Sequence, residues 1–161
     1  MELSLRTERL MSRFQLQAVD CTPRSTGTQP GSLNNGESAG LLALLSQPRY
    51  KHVVLLLGGV ADQYTYQALA RELLDHFQLF GWSHFIDLSD QDCASKVEAM
   101  VFIVIHQLAH GKGWQATTKA NALGLTGRAY YKTWHTRFND LAQLLVQWAH
   151  DADYELNRLI K

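Results

Sequence analysis

A purely basic stretch runs from Lys112 to Asn139 in this chain of 161 residues. It contains five lysine and arginine residues and no aspartate or glutamate, whereas the whole chain carries 15 basic and 15 acidic side chains and no formal net charge. Lysine and arginine without acidic neighbours neutralise phosphates, so the stretch favours contact with a nucleic-acid backbone. The zero net charge excludes a protein that is basic all over, but it allows one local basic face.

The residues within this stretch predict two helices joined by a tight turn. Ala120 is small enough for a position where two helices cross closely, and Leu123 and Leu125 are expected to be buried beside the turn. Gly124 can adopt the left-handed conformation that ends the first helix. Thr126 is a suitable N-cap for the second helix. Together these residues predict a helix-turn-helix.

We place this helix-turn-helix near residues 115–138. Its second helix, which starts at Thr126, is expected to enter the major groove of DNA. Tyr130 and Trp134 would pack inward at i, i+4 spacing, while Arg128 could pair with guanine through two hydrogen bonds. The predicted DNA-binding residues are Lys112, Lys119, Thr126, Arg128, Tyr131, Lys132, His135 and Arg137. The alternative is an ordinary helix hairpin with a solvated basic face, and Gly127 favours that alternative because glycine weakens a first helical turn.

Two histidines, His106 and His110, lie four residues apart, which places both on one helix face and suits a metal site. A catalytic zinc site of this type has glutamate directly after the first histidine, where this chain has Gln107. Histidines at a helix C-terminus also interact favourably with the helix dipole and the last carbonyls. We adopt this second interpretation, so no metal ligand is predicted.

Other patterns that could support catalysis are incomplete. Cys93 lies near a predicted helix N-terminus, where a thiolate is stabilised, but no local signature accompanies it, and buried cysteine usually acts as a small hydrophobe. The glycines within residues 57–60 lack the lysine and the serine or threonine of a phosphate-binding loop. We therefore expect a protein that is not an enzyme and that carries no cofactor.

Composition and apolar runs indicate a folded protein that does not cross a membrane. Hydrophobic residues make up 46% of the chain, which is typical of a globular protein. The runs Val53–Leu57 and Ala99–Ile105 are too short to span a bilayer, and no signal peptide is recognisable. Because Cys21 and Cys93 form no CxxC motif, we expect a cytoplasmic protein with reduced thiols.

Hydrophobic spacing and loop chemistry divide the chain into an N-terminal arm and loop, residues 1–37, and a single helical domain, residues 38–161. The arm includes a short candidate helix within residues 1–19, and residues 20–37 are rich in Pro, Gly, Ser, Thr and Asn, which is typical of an ordered surface loop or a tether. The domain is expected to begin with a short helix over residues 37–45.

The next segment, Tyr50–Leu57, fits either a buried strand or a helix, and we favour a helix because no partner strand is visible elsewhere. A further helix is predicted over residues 62–80. Another follows a capping box at Ser89–Asp92 and covers Cys93–His110. Because this helix is apolar almost all round beyond Met100, we expect it at the centre of the fold.

The last segment, from Gly127 to Ile160, predicts one long helix of about 45–50 Å. Its apolar residues recur at spacings of four and three and are Tyr130, Trp134, Phe138, Leu141, Leu145, Trp148, Ala152, Leu156 and Leu159. This spacing is close to the coiled-coil period. Because the helix is longer than a compact core of this size, part of its apolar stripe is expected to pack on a second chain in a homodimer.

The segment Leu123–Trp134, with the sequence LGLTGRAYYKTW, resembles the DNA-binding helices of phage and transposon regulators and the sigma-factor region that reads the promoter −35 element. In those families a turn of leucine, glycine, leucine or isoleucine, and serine or threonine leads into a tyrosine-rich recognition helix. The unit with its long following helix, about residues 114–152, is similar to late-gene regulators of phages, including the Q-type antitermination proteins. The resemblance implies a transcription regulator that binds double-stranded DNA.

RNA polymerase is a further candidate partner, suggested by the N-terminal arginines. Arg6, Arg9 and Arg13 in the N-terminal arm are candidates for docking on such a protein or for phosphate contacts. We expect an all-α protein of about six helices, with a C-terminal helix-turn-helix that runs into a long helix. The alternative function is a helical protein-interaction module that does not bind nucleic acid and uses the long helix as its binding surface.

Overall fold

The computed structural model describes residues 35–79 and 89–159, and all regular structure within them is helical. Six helices follow in the order α1 (Asn35–Ala43), α2 (Pro48–Leu57), α3 (Gln63–Leu79), α4 (Gln91–His110), α5 (Ala116–Ala122) and α6 (residues 127–159). The prediction of an all-α fold of about six helices is confirmed. The candidate helix within residues 1–19, the loop up to residue 34 and Cys21 lie outside the described residues.

The apolar run at residues 53–57 belongs to a helix, as predicted, and not to a strand. Pro48 lies in the first turn of α2, where its missing N–H costs no helical hydrogen bond. The helix ends at Gly58, and the next residue, Gly59, has a φ of 70°. Val53 and Leu56 are almost fully buried, so the run is the core face of a short helix.

The central helix is α4, which packs against α2, α3, α5 and α6. Its N-cap is Asp90, whose carboxylate accepts the N–H of Asp92 at 3.1 Å. The predicted cap at Ser89 is therefore wrong by one residue, because aspartate caps as well as serine and Asp90 lies within reach of the free N–H. The helix ends at Gly111, where φ is 62°. Even though α4 is strongly apolar, none of the described helices is long and apolar enough to cross a membrane.

The last helix, α6, is continuous but has three parts: an α-helical turn at Gly127–Ala129, a π-helical turn at Tyr130–Trp134 and an α-helix at His135–Leu159. Its apolar stripe is buried against α2 and α4 of the same chain. At the C-terminal end, Leu42 of α1 and Val54 of α2 pack with Ala152 and Leu156.

Most of this stripe is buried within the single chain, which removes the argument for a second chain from the length of the helix, and the homodimer itself stays a prediction. Leu145 is 1% exposed and Leu156 is also 1% exposed within the single chain, whereas Leu159 is 39% exposed. The stripe is covered because α1 and α2 extend the core toward the end of α6. A helix of this length therefore does not require a second chain to bury its apolar face.

Candidate nucleic-acid interface

The turn between α5 and α6 has the geometry that the sequence predicts. Gly124 has a φ of 64°, and its N–H donates to the carbonyl of Asn121 at 3.0 Å, while the N–H of Leu125 donates to the carbonyl of Ala120 at 2.9 Å. These two bonds form a Schellman motif, which ends a helix on a left-handed residue. Ala120 and Leu123 are buried, so the turn is anchored in the core. The helix-turn-helix is confirmed as a local structure.

Thr126 begins α6 as its N-cap, as predicted. Its Oγ1 accepts the N–H of Ala129 at 3.3 Å, and its carbonyl accepts the N–H of Tyr130 at 2.9 Å. The hydroxyl is thus used to start the helix. Thr126 therefore positions α6, and its direct contact with DNA stays a prediction from the sequence.

The π-helical turn near the start of α6 was not predicted. Within it, the N–H of His135 donates to the carbonyl of Tyr130, five residues earlier. The spacing of Tyr130, Trp134 and Phe138 is the sequence feature that indicates this π-turn. Each step of four residues in an α-helix moves a side chain by about 40° around the axis. The wider π-turn keeps all three side chains on the buried face, where none is more than 5% exposed.

The outward side of these first turns carries Arg128, Tyr131 and Lys132, which we call the basic face. All three side chains are exposed, Tyr131 to 61%, and spacings of three and four place them on one side of the helix. Within the described part of the chain, neither Arg128 nor Lys132 forms an ion pair or a side-chain hydrogen bond. Lys112 is also exposed, in the connection between α4 and α5.

His135 is half-buried beside the basic face. Its ring centroid lies 5.1 Å from that of Tyr131, and its Nε2 lies 3.3 Å from Nδ2 of Asn139. These contacts hold the imidazole against the tyrosine ring. His135 therefore supports the basic face from the side, and Tyr131 is the more accessible of the two rings.

Lys119 and Arg137 are half-buried and point toward the protein. The Nζ of Lys119 lies 5.2 Å from the centroid of the Phe138 ring, and burial lowers the pKa of Lys119. The guanidinium of Arg137 donates to the carbonyl of Thr133 in the π-turn, and burial lowers the pKa of Arg137. These contacts hold α5 and the π-turn in place, and contact of Lys119 and Arg137 with DNA stays a prediction from the sequence.

Neither a protein-family model, nor a curated protein, nor a solved structure matches this chain. The resemblance to phage regulators over residues 114–152 stays a prediction from the sequence. The geometry of the helix-turn-helix and its exposed side chains is therefore the basis for a functional interpretation.

The other patterns considered in the sequence have different geometries. Burial, together with a hydrogen bond to Asp90 and its charge, raises the pKa of the Cys93 thiol, which opposes thiolate formation. Residues 57–60 lie at the C-terminal end of α2, where free carbonyls and not free N–H groups are found, so this glycine pair does not suit a phosphate. His106 and His110 are both exposed in the last two turns of α4.

Proposed function

We propose that the protein is a transcription regulator that binds double-stranded DNA with the first turns of α6. One observation carries this function: the second helix of a helix-turn-helix exposes Arg128, Tyr131 and Lys132 in a stretch of chain without carboxylates. In regulators built on this motif, the second helix lies in the major groove and its outward side chains reach base edges.

Each side chain of the basic face has a chemistry that DNA can use. Arg128, in the first turn, can donate two parallel hydrogen bonds to N7 and O6 of guanine. Lys132 can neutralise a phosphate, and the Tyr131 hydroxyl can bond a phosphate or a sugar. Lys112, on the connection that precedes α5, supplies a further phosphate contact.

The narrower proposal, a phage-type antitermination protein that also contacts RNA polymerase, is supported by the resemblance of residues 114–152 and, for RNA polymerase, by the N-terminal arginines. Reading two half-sites about one DNA turn apart would require a homodimer. Because the stripe of α6 is buried in its own chain as far as Leu156, a dimer through this helix would use the exposed end of the stripe at Leu159, which is 39% exposed, or the outer side, where Tyr154 is 64% exposed.

A fluorescence-anisotropy titration of the full chain on a random-sequence duplex at two salt concentrations tests DNA binding. With two or three phosphate contacts per protomer, the affinity should fall about three- to sixfold for each doubling of salt. Arg128→Ala/Lys132→Ala should bind about tenfold more weakly at low salt. The matched control Lys51→Ala/Arg71→Ala removes two exposed cations from α2 and α3 and should bind like the parent.

Equal weakening by both pairs of substitutions would indicate a general charge effect and not a reading face. Absence of binding at low salt would remove the DNA-binding function altogether. Retained binding with no salt dependence would contradict the assignment of Lys112 and Lys132 to phosphates.

A protein-interaction module is the second candidate function, and exposed aromatic side chains favour it. Phe102 of α4 is 51% exposed and Tyr154 of α6 is 64% exposed, and large exposed apolar side chains are common in protein-binding surfaces. If this function is correct, Tyr154→Ser should abolish capture of a partner, and Arg128→Ala/Lys132→Ala should leave capture unchanged.

A further inference from the structure

The C-terminal turns of α4 bring two imidazole rings close together. The ring centroids of His106 and His110 are 4.2 Å apart, the rings are inclined by 47°, and both side chains are exposed. The interpretation adopted from the sequence is that these histidines interact with the helix dipole and bond the last helix carbonyls. In the described part of the chain neither imidazole forms a hydrogen bond, so the expected bonds to the carbonyls are absent there, while both rings still lie at the negative end of the helix dipole.

We propose that His106 and His110 together bind one divalent transition-metal ion of the Zn²⁺, Ni²⁺ or Cu²⁺ class. Imidazole nitrogen is a ligand that these ions prefer, and the four-residue spacing lets side chains from successive helical turns reach one ion. The C-terminal end of α4 carries partial negative charge, which favours a cation. Because both rings are already exposed, neither must be uncovered before the ion binds.

This site is open, and it differs from a structural zinc site. The described residues contain no group of three or more His, Cys, Asp or Glu side chains that could hold a metal ion. Water or an external ligand therefore completes the coordination, whereas four protein ligands enclose the ion in a structural zinc site. The fold accordingly does not depend on the ion.

Trp114 provides an internal reporter for the site. Its ring centroid lies 5.8 Å from that of His106, in an edge-to-face arrangement. Copper(II) quenches indole fluorescence at short range, so Cu²⁺ held by the two histidines should quench Trp114. Trp114→Phe should remove that part of the quenching and leave Zn²⁺ binding intact.

Isothermal titration calorimetry of the untagged full chain with ZnCl₂ tests the site directly. We expect one ion per chain and a loss of affinity of about tenfold or more for His106→Ala and for His110→Ala, because the second imidazole binds intramolecularly once the first has bound. His150→Ala, which removes an exposed histidine from α6, is the matched control and should bind Zn²⁺ like the parent.

Unchanged Zn²⁺ affinity in either His106→Ala or His110→Ala would overturn the proposal, and so would the absence of binding heat in the parent. Circular dichroism of each variant should match the parent, since both positions are exposed on a helix. The titration contains no DNA, so its outcome is independent of the function proposed for α6.

Discussion

The two halves of α6 carry opposite charge and use it differently. Residues 127–139 contain lysine and arginine without a carboxylate, and the acidic residues of 140–159 are Asp140, Asp151, Asp153 and Glu155. Asp151 accepts hydrogen bonds from Nε2 of Gln147 at 2.8 Å and from the hydroxyl of Tyr50 at 3.4 Å. Glu155 accepts from the N–H of Ser46 at 2.9 Å and from its hydroxyl.

The acidic half is therefore tied to its own chain, because two of its carboxylates hold α2 and the connection between α1 and α2. In the basic half, Arg128 and Lys132 have no such partner within the described residues. Charges that a fold uses internally contribute to its stability, and exposed charges that it does not use are available to a partner. Substitutions in the two halves should accordingly have separable effects.

The largest effect on stability is expected from a substitution in the buried apolar stripe, on which both halves of α6 depend. Leu145→Asp places a carboxylate at a site that is 1% exposed, and its desolvation without a partner should cost about 4 kcal/mol or more. Thermal unfolding followed by circular dichroism should show a chain that is largely unfolded. Gln143→Asp, at an exposed position two residues away, is the control. A variant that stays folded but loses self-association would instead place Leu145 in an interface between chains.

A specific effect on recognition is expected from Arg128→Ala. It should weaken binding to a selected duplex by about 1–3 kcal/mol and relax the base preference at one position, while the free energy of unfolding changes by less than about 0.5 kcal/mol. Selection and sequencing of bound duplexes would measure the preference. If the affinity for every sequence is unchanged, Arg128 does not belong to the reading face.

Glu155→Ala, in the acidic half, is expected to lower the stability of the fold and to leave DNA binding unchanged. The loss of the bonds from Ser46 should lower the free energy of unfolding by about 1 kcal/mol, given that the carboxylate is only half-buried. Affinity for DNA should not fall. Urea unfolding of this variant beside Asp140→Ala, a change at an exposed carboxylate of the same helix, would separate the hydrogen bonds from the charge. If Glu155→Ala and Asp140→Ala destabilise the fold equally, the loss of a negative charge causes the destabilisation and the hydrogen bonds from Ser46 do not.

The smallest effect concerns Asp62, an acidic side chain outside α6. Its Oδ1 accepts the N–H and the hydroxyl of Thr65, each at 2.8 Å, and these bonds lower the pKa of Asp62. Because the folded-state pKa lies below the unfolded value of about 3.9, the ionised carboxylate stabilises the fold above that value, and the stabilisation is lost as pH falls through the lower folded-state pKa.

The difference in unfolding free energy between the parent and Asp62→Ala should therefore be constant near neutral pH and shrink in strong acid. Denaturant unfolding at a series of pH values would measure it. A difference that persists undiminished in strong acid would show that the two bonds from Thr65 to Asp62 do not require the charge.

The elements with local signals could be predicted from the sequence. The turn of the helix-turn-helix follows from the ability of Gly124 to adopt a positive φ, and its cap follows from the ability of the Thr126 hydroxyl to accept a helix N–H. Pro48 likewise marks the start of α2. The N-cap of α4 was placed one residue early because Ser89 and Asp90 are both good caps, and only the position of the free N–H distinguishes them.

Features that depend on packing between distant segments could not be predicted. Whether the C-terminal end of α6 is covered by its own chain depends on α1 and α2, whose Leu42 and Val54 pack with Ala152 and Leu156. Residue type alone also does not distinguish Lys119 and Arg137, which face Phe138 and the π-turn, from the exposed Lys132. The sequence therefore predicted the motif, but not which of its cations are free to meet a partner.

The π-turn has a consequence for how such a protein can change over generations. It adds one residue between the buried stripe and the residues that precede it, and each residue in an α-helix corresponds to about 100° of rotation. In the π-turn five residues close the hydrogen-bonded turn that four close in an α-helix, so deletion of a single codon between Tyr130 and Trp134 would return the turn to an α-helix and leave the direction of Arg128 nearly unchanged. The π-turn is thus a place where the chain can lose one residue while the basic face keeps its position relative to the buried stripe, and substitutions on that face change its chemistry without changing its orientation.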